Sequence, residues 1–284
     1  MTTIAEYVKK RIKLTRRLTS AVVVILSLIA LFHPLGLPLT IGPITRDYYN
    51  TIEALPEGSV VAFPGGIPLK DYASKRDICR ATLYHLAQRK AKMILYSFDP
   101  EAPQVWVAMR TYSDIEGKYG YKYGVDFVIF PFLPGGEPAL ATVAGDMQVF
   151  STDIYGTPIG SIPLMRNLRT AADVRLIVIW ATELVFPAQV IRQWDAKYGV
   201  KALDMQYYAS IATWYGTYVV GCLDGSRGAA EYEKLTGFLG EQISMVDITN
   251  LVGIWVLMLV ALGNIEYFLK RQKKENIQKV GGKV

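Results

Sequence analysis

The chain has 284 residues, 51% of them hydrophobic, and its mean hydropathy is +0.21. These values exceed those of an average soluble protein and predict that part of the chain lies in lipid. The net charge of +6 comes from residues 1–17 and 270–284, each with six basic residues and one acidic residue, whereas residues 46–247 have 19 basic and 22 acidic residues. We therefore expect no nucleic-acid partner.

The first apolar stretch follows a basic segment. Residues 1–17 have apolar side chains at helical spacing and basic side chains around the other side, which predicts an interfacial helix on the cytoplasmic side. Residues 18–39 are predicted as the first transmembrane helix, which Pro34 and Pro38 would kink or end near its outer side. A secretory signal peptide has a similar pattern, but no small-x-small cleavage motif follows, so a retained anchor is favoured.

A second apolar stretch, residues 248–269, is long enough as a helix to span the ~30 Å hydrocarbon core of a bilayer. Basic residues flank both stretches, which predicts that residues 1–17 and the tail 270–284 are cytoplasmic. The domain of residues 45–240 then lies outside the cytoplasm. We therefore expect a two-span protein of the cell membrane, with the lipid bilayer as a partner.

Between these stretches, apolar runs alternate with longer helical segments such as residues 75–90, and residues 45–57 look like a polar connection. Nearly continuous apolar strands that alternate with helices indicate a parallel sheet covered on both faces. The expected fold is α/β, a Rossmann-like or flavodoxin-like parallel-sheet sandwich flanked by two transmembrane helices, with about five strands. The strand-like runs are residues 59–63, 92–98, 125–132, 174–180 and 200–205.

A Pro-Gly-Gly-x-Pro motif ends two of these runs, as FPGGIP at residues 63–68 and within FLPGGEP at residues 132–138. In a parallel sheet, the segments that follow the strands meet at one edge, where ligands usually bind. The glycines either form the wall of a small-molecule cleft or turn the chain from strand to helix, and the turn is the preferred interpretation. The predicted cleft residues are Gly65, Gly66, Asp99, Gly135, Gly136, Glu183 and Asp204.

Small residues and one long loop predict packing surfaces. The loop of residues 150–173 exceeds most connections in compact domains, and such loops are often functional or form interfaces. Residues 206–240 fit either a strand, a glycine loop and a helix, or one helix interrupted by glycines, and we prefer the helix because its small residues form a packing stripe. The predicted residues of oligomer or helix packing are Tyr155, Gly156, Gly221, Gly225, Ala229, Gly253 and Gly263.

The sequence lacks the common cofactor and metal motifs. GCLDGSRG at residues 221–228 is rich in glycine but matches neither GxxxxGK[ST] nor GxGxxG, so we expect no nucleotide and no other cofactor. Cys79 and Cys222 have neither CxxC nor histidine spacing, so no metal site is expected. The two cysteines either form one disulfide or are separate buried thiols.

A hydrolase is the enzymatic alternative. The strand followed by Pro-Gly-Gly resembles the SPGG turn of Clp-protease-like serine proteases, in which the glycines help to build an oxyanion hole. Such an enzyme needs an activated serine and a base. Ser74 and Ser97 lack a suitable setting, and His85 is the only histidine of the central domain.

Two motifs carry a family resemblance that extends over the domain and the second span. They are YGTP at residues 155–158 and GxxxGxxGAAEYEKL at residues 221–235. With them the chain resembles a family of uncharacterised prokaryotic two-span membrane proteins. The resemblance implies no activity, cofactor or site.

The leading hypothesis is a structural or scaffolding subunit of a homo-oligomeric membrane complex, because two tethers would restrict the orientation of the domain. Its partners would be other copies of the chain or other subunits of a membrane complex. The alternative is an extracytoplasmic small-ligand-binding or sensor protein with the Pro-Gly-Gly segments as its binding edge. A membrane-bound hydrolase is the third hypothesis.

Overall fold

A computed structural model of the chain describes residues 4–33, 35–182, 185–205 and 219–281. By its internal contacts, the chain divides into two units. One unit comprises residues 1–37 and 244–284, and the other comprises residues 38–243. The second unit contains the α/β domain.

The described elements alternate between strand and helix through most of the domain. The helices are α1 (Ile4–Phe32), α2 (Pro43–Glu53), α3 (Leu69–Gln88), α4 (Ala102–Ser113), α5 (Ile115–Tyr119), α6 (Glu137–Gly145), α7 (Val185–Val190), α8 (Ala196–Tyr198), α9 (Gly225–Thr236) and α10 (Glu241–Gly281). The strands are β1 (Val60–Gly66), β2 (Lys92–Ser97), β3 (Phe127–Phe132), β4 (Leu176–Ala181), β5 (Ala202–Asp204) and β6 (Val219–Cys222). A π-helical turn (Ile191–Asp195) joins α7 to α8, and 3-10 turns at Ile159–Ser161, Pro163–Met165 and Ala171–Asp173 precede β4.

The described strands form one sheet of six strands in the order β3-β2-β1-β4-β5-β6. Every pairing is parallel, for example Val61 with Met93 of β2 and with Leu176 of β4. The prediction of an α/β fold is therefore confirmed, with six strands instead of about five. The additional strand is β6, which pairs with β5 through Ala202 and Val219.

Apolar clusters cover both faces of the sheet. On one face, α3 and α4 bury Trp106 with Phe63 and Trp180. On the other face, Tyr96 and Trp194 pack in a second cluster. Strands buried on both faces explain why the apolar runs of the sequence are nearly continuous rather than alternating.

Three local predictions were wrong. The segment 45–57 is mainly the helix α2, because Pro43 starts it and Thr45, Tyr48 and Ile52 recur on one buried side. The first Pro-Gly-Gly is part of β1 rather than a turn, since Gly65 and Gly66 pair with β4.

The third correction concerns the glycine stripe. Gly221 lies in β6, whereas Gly225 begins α9 and Ala229 is buried within it, so the strand, loop and helix alternative is right for the described part of residues 206–240. Residues 206–218 lie outside the described residues. The helical interpretation failed because the pairing of β6 with β5 outweighed the helical spacing of the small residues.

The long loop of residues 150–173 covers the edge strand β3. The N–H of Ile154 donates to the Ile129 carbonyl oxygen at 3.0 Å, and the Asp153 carboxylate accepts the N–H groups of Tyr155 and Thr157 at 2.9 and 2.7 Å. Covering an edge in this way satisfies its polar groups and blocks strand addition. The buried side chains of this loop, among them Met165, pack on the sheet of its own domain.

In the other unit, α10 contains the one described helix that is long and apolar enough to cross a membrane. Its apolar part is Glu241–Ile265, with a mean hydropathy of 2.1. The apolar part of α1, Arg17–Phe32, is shorter, and residues 35–42 are not helical. The structure therefore supports one spanning helix by length and composition, while the second span and the topology stay predictions.

The Asp247 carboxylate joins the two halves of this unit. It accepts the N–H groups of Leu35, Gly36 and Leu37 at 2.8, 2.9 and 3.1 Å and is almost fully buried. Three consecutive donors around one carboxylate form an anion-binding nest, here filled by a side chain of α10.

Candidate functional site

The carboxyl edge of the sheet is where a strand order of this kind usually forms a ligand crevice. The order reverses between β1 and β4. In open α/β sheets, ligands bind outside the carboxyl ends of the strands at such a reversal. The segments that follow Gly66 and Ala181 are therefore the first place to look for a site.

Aromatic side chains fill the space at the two glycines of β1. A Cβ atom at Gly65 would lie 2.8 Å from Trp106 Nε1 and 2.9 Å from the Tyr96 carbonyl oxygen. At Gly66 it would lie 3.3 Å from the Phe186 ring. These glycines thus admit aromatic packing, and the space beside them is not left to a ligand.

The amino end of α3, which binds phosphate in many folds of this type, is also occupied. The Leu69 N–H donates to Glu101 Oε2 at 2.7 Å. Asp99 Oδ1 accepts the N–H of Glu101 at 2.8 Å and thereby shapes this turn. The carboxylate of Glu101 therefore stands where an anionic ligand would bind.

The second Pro-Gly-Gly motif is a true turn and lies elsewhere. Gly135 and Gly136 have φ angles of +126° and +57° and are exposed after the edge strand β3, which β2 separates from β1. Directly after them, hydrogen bonds from Arg192 and Gln193 lower the pKa of Glu137 to about 2. The two motifs are therefore not neighbours on the sheet. The first is part of a strand, and the second turns the chain after β3.

Two predicted cleft residues remain, Asp204 and Glu183, and the structure describes only Asp204. Asp204 ends β5 and is 1% exposed, and Lys75 of α3, 4% exposed, interacts with it electrostatically. Burial lowers the pKa of Lys75, while the charges of Asp71 and Asp204 oppose that shift. Glu183 lies outside the described residues.

A buried hydrogen-bond chain, which the sequence did not reveal, joins α2, α3 and α9. His85 contacts Glu53 Oε2 through Nε2 at 2.9 Å and the Tyr232 hydroxyl through Nδ1 at 2.8 Å. Burial lowers the pKa of His85, so the neutral ring donates from Nε2 to Glu53 and accepts from Tyr232. The hydrogen bond from His85 in turn lowers the pKa of Glu53. His85 is thus a structural link rather than a free base.

The serines that a hydrolase would need are also committed. The Ser97 hydroxyl is buried and donates to the Phe130 carbonyl oxygen at 3.0 Å, and Ser74 donates to the Asp71 carbonyl oxygen at 3.0 Å. Neither contact involves a base. Over the described ranges, the groups singled out for hydrolysis therefore do not assemble, and the structure brings no group of metal-ligating side chains together there either.

The predicted packing residues lie in three settings. Gly221 is covered by α2, since a Cβ there would collide with the backbone N and Cα of Tyr48. Tyr155 is half exposed beside the Arg110 guanidinium, and Gly156 follows it with a φ of +83°. The Cβ positions of Gly253 and Gly263 have no described atom within 4 Å. Cys79 and Cys222 are both buried and are not joined by a disulfide, which answers the open question of a disulfide.

A cleft of about 520 Å³ lies at the opposite, amino edge of the sheet. We call it the amino-edge cleft. It lies between α2 and the segments that enter β4 and β5, with Val220 of β6 at one side. Its volume is within the range of small-molecule sites, roughly 300–1,000 Å³. Four buried apolar residues of the two core clusters are among its lining residues, Leu55, Val174, Leu176 and Val200.

The rim of the amino-edge cleft is polar. Asp47, Asn50 and Thr51 come from consecutive turns of α2, and Arg175 and Lys201 come from the opposite wall. Within the part of the chain that the structure describes, the side chains of Asp47, Arg175 and Lys201 make no ion pair or hydrogen bond. The surface of this cleft is more polar than apolar, whereas most small-molecule sites are lined mainly by apolar side chains.

Sequence reasoning missed this cleft because it searched the carboxyl ends of the strands. The available signal was a basic residue directly before each of two neighbouring strands, Arg175 before β4 and Lys201 before β5. The predicted strand runs 174–180 and 200–205 include Arg175 and Lys201, so the sequence did not distinguish these two positions from the strands.

Comparison with protein-family models, with curated proteins and with solved structures gave no match. The resemblance suggested by YGTP and by residues 221–235 therefore stays a prediction, and the site has to be argued from its own geometry.

Proposed function

We propose that this protein is a membrane-anchored binding or sensor protein, whose Rossmann-like domain holds a small molecule in the amino-edge cleft. The observation that carries the proposal is the cleft itself, with about 520 Å³ of space and with the charged residues Asp47, Arg175 and Lys201 in its lining. Over the described residues these three side chains make no ion pair, so a ligand that binds them breaks no internal pair.

The closed carboxyl edge supports the same assignment. There, Trp106 packs on Gly65, Phe186 packs on Gly66, and Glu101 caps α3. A ligand at that edge would have to displace buried aromatic rings, which costs much more than entering a formed cleft. The binding hypothesis therefore moves from the Pro-Gly-Gly segments to the amino edge.

Native mass spectrometry of the full-length protein in a mild uncharged detergent tests the proposal. We expect a reproducible added mass on the native chain. Ala54→Trp, which places an indole in the cleft, should abolish it. The matched control is Ala73→Trp, at an exposed alanine of α3 that does not line the cleft. Loss of the added mass in both variants, or in neither, would contradict a site in the cleft.

Assembly through the membrane helix is the second candidate function. Among the described residues, no atom lies within 4 Å of the Cβ positions of Gly253 and Gly263 in α10, and small residues let another helix approach closely in lipid. This supports a homo-oligomeric or scaffolding role in addition to binding. The same mass spectra test it, because a discrete oligomer that carries no added mass would favour assembly over binding.

A further inference from the structure

We propose that residues 240–243, at the start of α10, form a proton-controlled latch with Glu233 of α9. The latch is closed while Glu233 is protonated, and residues 240–243 are released when Glu233 ionises. We call Glu233 and residues 240–243 the α10 latch. None of these residues lines the amino-edge cleft, so the latch and the binding function can be tested separately.

Glu233 holds the first residues of α10 from the side of α9. Its side chain is fully buried, and Glu233 Oε2 accepts the Ile243 N–H at 3.1 Å. The N–H groups of Gly240 and Gln242 also lie close to this carboxyl. All of these residues belong to one unit of the chain, residues 38–243. The N–H groups at the start of a helix have no acceptor within the helix, and a side-chain oxygen commonly takes that place.

The other oxygen of the Glu233 carboxyl lacks a donor. Among the described residues, neither Glu233 Oε1 nor the buried Gln242 Oε1 accepts a hydrogen bond of ordinary geometry. A buried carboxylate oxygen without a donor is costly, whereas a protonated oxygen becomes a donor itself. The closed latch therefore suits the protonated acid better than the carboxylate.

Gly240 brings the α10 latch close to a second buried acid. A Cβ atom at Gly240 would collide with Glu233 Oε1 and would lie 3.2 Å from the Cβ of Asp77 in α3. Asp77 is 2% exposed. Arg80 binds Asp77 at 2.7 Å, and the Tyr112 hydroxyl of α4 donates to it at 2.5 Å. Asp77 thus has its own cation and its own donor, and Glu233 shares neither.

The other charged groups at the α10 latch supply no counter-charge for Glu233. Arg76 of α3 pairs with Glu241 of α10 at 3.2 Å, and Lys234, the next residue of α9, is exposed. Over the part of the chain that the structure describes, no cation pairs with Glu233. Ionisation of Glu233 in the closed latch leaves a buried charge beside Asp77, which is costly unless water reaches it. Release of residues 240–243 admits that water.

The pKa of Glu233 gives the range of pH in which the latch responds. Burial is the largest cause that raises this pKa, from 4.5 to about 7, and the charge of Asp77 acts in the same direction. In the open latch, water reaches the carboxyl and its pKa returns to the ordinary value. Opening therefore becomes more favourable as the pH rises from 4.5 to 7 and changes little above 7.

Residue-resolved hydrogen–deuterium exchange of the full-length protein in an uncharged detergent tests the α10 latch. The measured quantity is the protection of the Gly240, Gln242 and Ile243 amides, corrected for the intrinsic effect of pH on exchange. In the native chain, this protection should fall by about tenfold or more between pH 5 and pH 8. Glu233→Gln, which is neutral at every pH, should stay protected over that range. The control Glu57→Gln changes an exposed acid outside the latch and should behave like the native chain.

Gly240→Ala is the variant with the opposite effect. Its Cβ displaces the Glu233 carboxyl, so the latch amides should be about tenfold less protected than in the native chain already at pH 5. They should also respond little to a further rise in pH. The amides of the central strand β1 report global unfolding in the same samples. Local opening requires that the latch amides exchange faster than those of β1 at pH 8.

Four results would overturn the α10 latch. The first is protection of the latch amides that does not change with pH in the native chain. The second is the same change in Glu233→Gln, which would assign the titration to another group. The third is exchange of the latch amides equal to that of β1 at every pH, which would mean that these residues open only when the domain unfolds. The fourth is native protection of Gly240→Ala at pH 5.

Discussion

The indole of Trp106 packs directly on Gly65 and donates its N–H to the carbonyl oxygen of Tyr96 at 3.0 Å. The hydrogen bond fixes the ring, and the glycine leaves the room that the ring needs. This relationship closes the sheet edge at the strand-order reversal, and it explains a Pro-Gly-Gly motif inside a strand without any ligand.

Gly65→Ala should therefore destabilise the domain by overpacking, at a cost of ~1–3 kcal/mol. The new Cβ would meet a backbone oxygen and a hydrogen-bonded ring, neither of which can move easily. Gly66→Ala is the matched control, because its Cβ meets the edge of the Phe186 ring at 3.3 Å and a small shift relieves the contact. Thermal unfolding midpoints in detergent should be lower for Gly65→Ala, and equal midpoints would contradict the packing argument.

The fold class could be predicted from the sequence because sheet strands buried on both faces give apolar runs with a clear spacing. The strand β6 and the helix α2 could not. Val219–Cys222 is short and depends on pairing with β5, while α2 is recognisable mainly from the buried spacing of Tyr48 and Ile52. Pro64 lies inside the central strand β1, although proline usually ends a strand, and so the sequence wrongly predicted a turn there.

Gly221→Ala tests the contact between β6 and α2. The added Cβ would collide with the backbone N and Cα of Tyr48, and a backbone cannot rotate away as a side chain can. We expect little folded protein on size-exclusion chromatography, or a steep loss of the thermal midpoint. Gly160→Ala, which adds a Cβ with no atom within 4 Å, should behave like the native chain. Normal folding of Gly221→Ala would mean that α2 packs differently.

The candidate site was harder to predict than the fold. Asp99 and Asp204 were identified by their position after strands, yet one shapes a turn and the other is buried. Arg175 and Lys201 precede strands and line the amino-edge cleft. The opposite wall of that cleft is α2, a helix that the sequence did not indicate. Sites formed between elements distant in the chain leave little local pattern.

His85 should make the domain sensitive to mild acid. Burial lowers the pKa of His85 in the folded protein below its ordinary value of 6.5, so protonation favours the unfolded chain. Stability is then complete above pH 6.5 and is lost as the pH falls below it. His85→Gln, which keeps a donor for Glu53, should lower stability at pH 8 but reduce its dependence on pH between 7 and 5. An unchanged slope in that range would show that His85 does not titrate on unfolding.

Asp247→Ala should release the segment that follows α1. The Leu35, Gly36 and Leu37 N–H groups lose their common acceptor, while Asp247→Asn keeps one acceptor oxygen. Hydrogen–deuterium exchange of full-length protein in detergent should accelerate at these three amides in Asp247→Ala and less in Asp247→Asn. Equal exchange in the native chain and Asp247→Ala would contradict the nest.

Glu233 should make the stability of the domain depend on pH in the opposite sense to His85. This carboxyl is fully buried on α9, accepts the Ile243 N–H at 3.1 Å, and has the Asp77 carboxyl nearby. Burial raises the pKa of Glu233 from 4.5 to about 7, although hydrogen bonds from the backbone of Gly240, Gln242 and Ile243 oppose that shift.

Since the folded state holds the Glu233 proton more tightly than the unfolded state, its contribution to stability is complete below pH 4.5 and is lost as the pH rises to 7. The change is of the order of 3 kcal/mol. Glu233→Gln, neutral at every pH, should be more stable than the native chain at pH 8 and equal to it near pH 4.5. Glu241→Gln, an exposed neighbour paired with Arg76, is the control. If Glu233→Gln were less stable than the native chain at pH 8, the ionised carboxylate would be a stabilising cap for the start of α10.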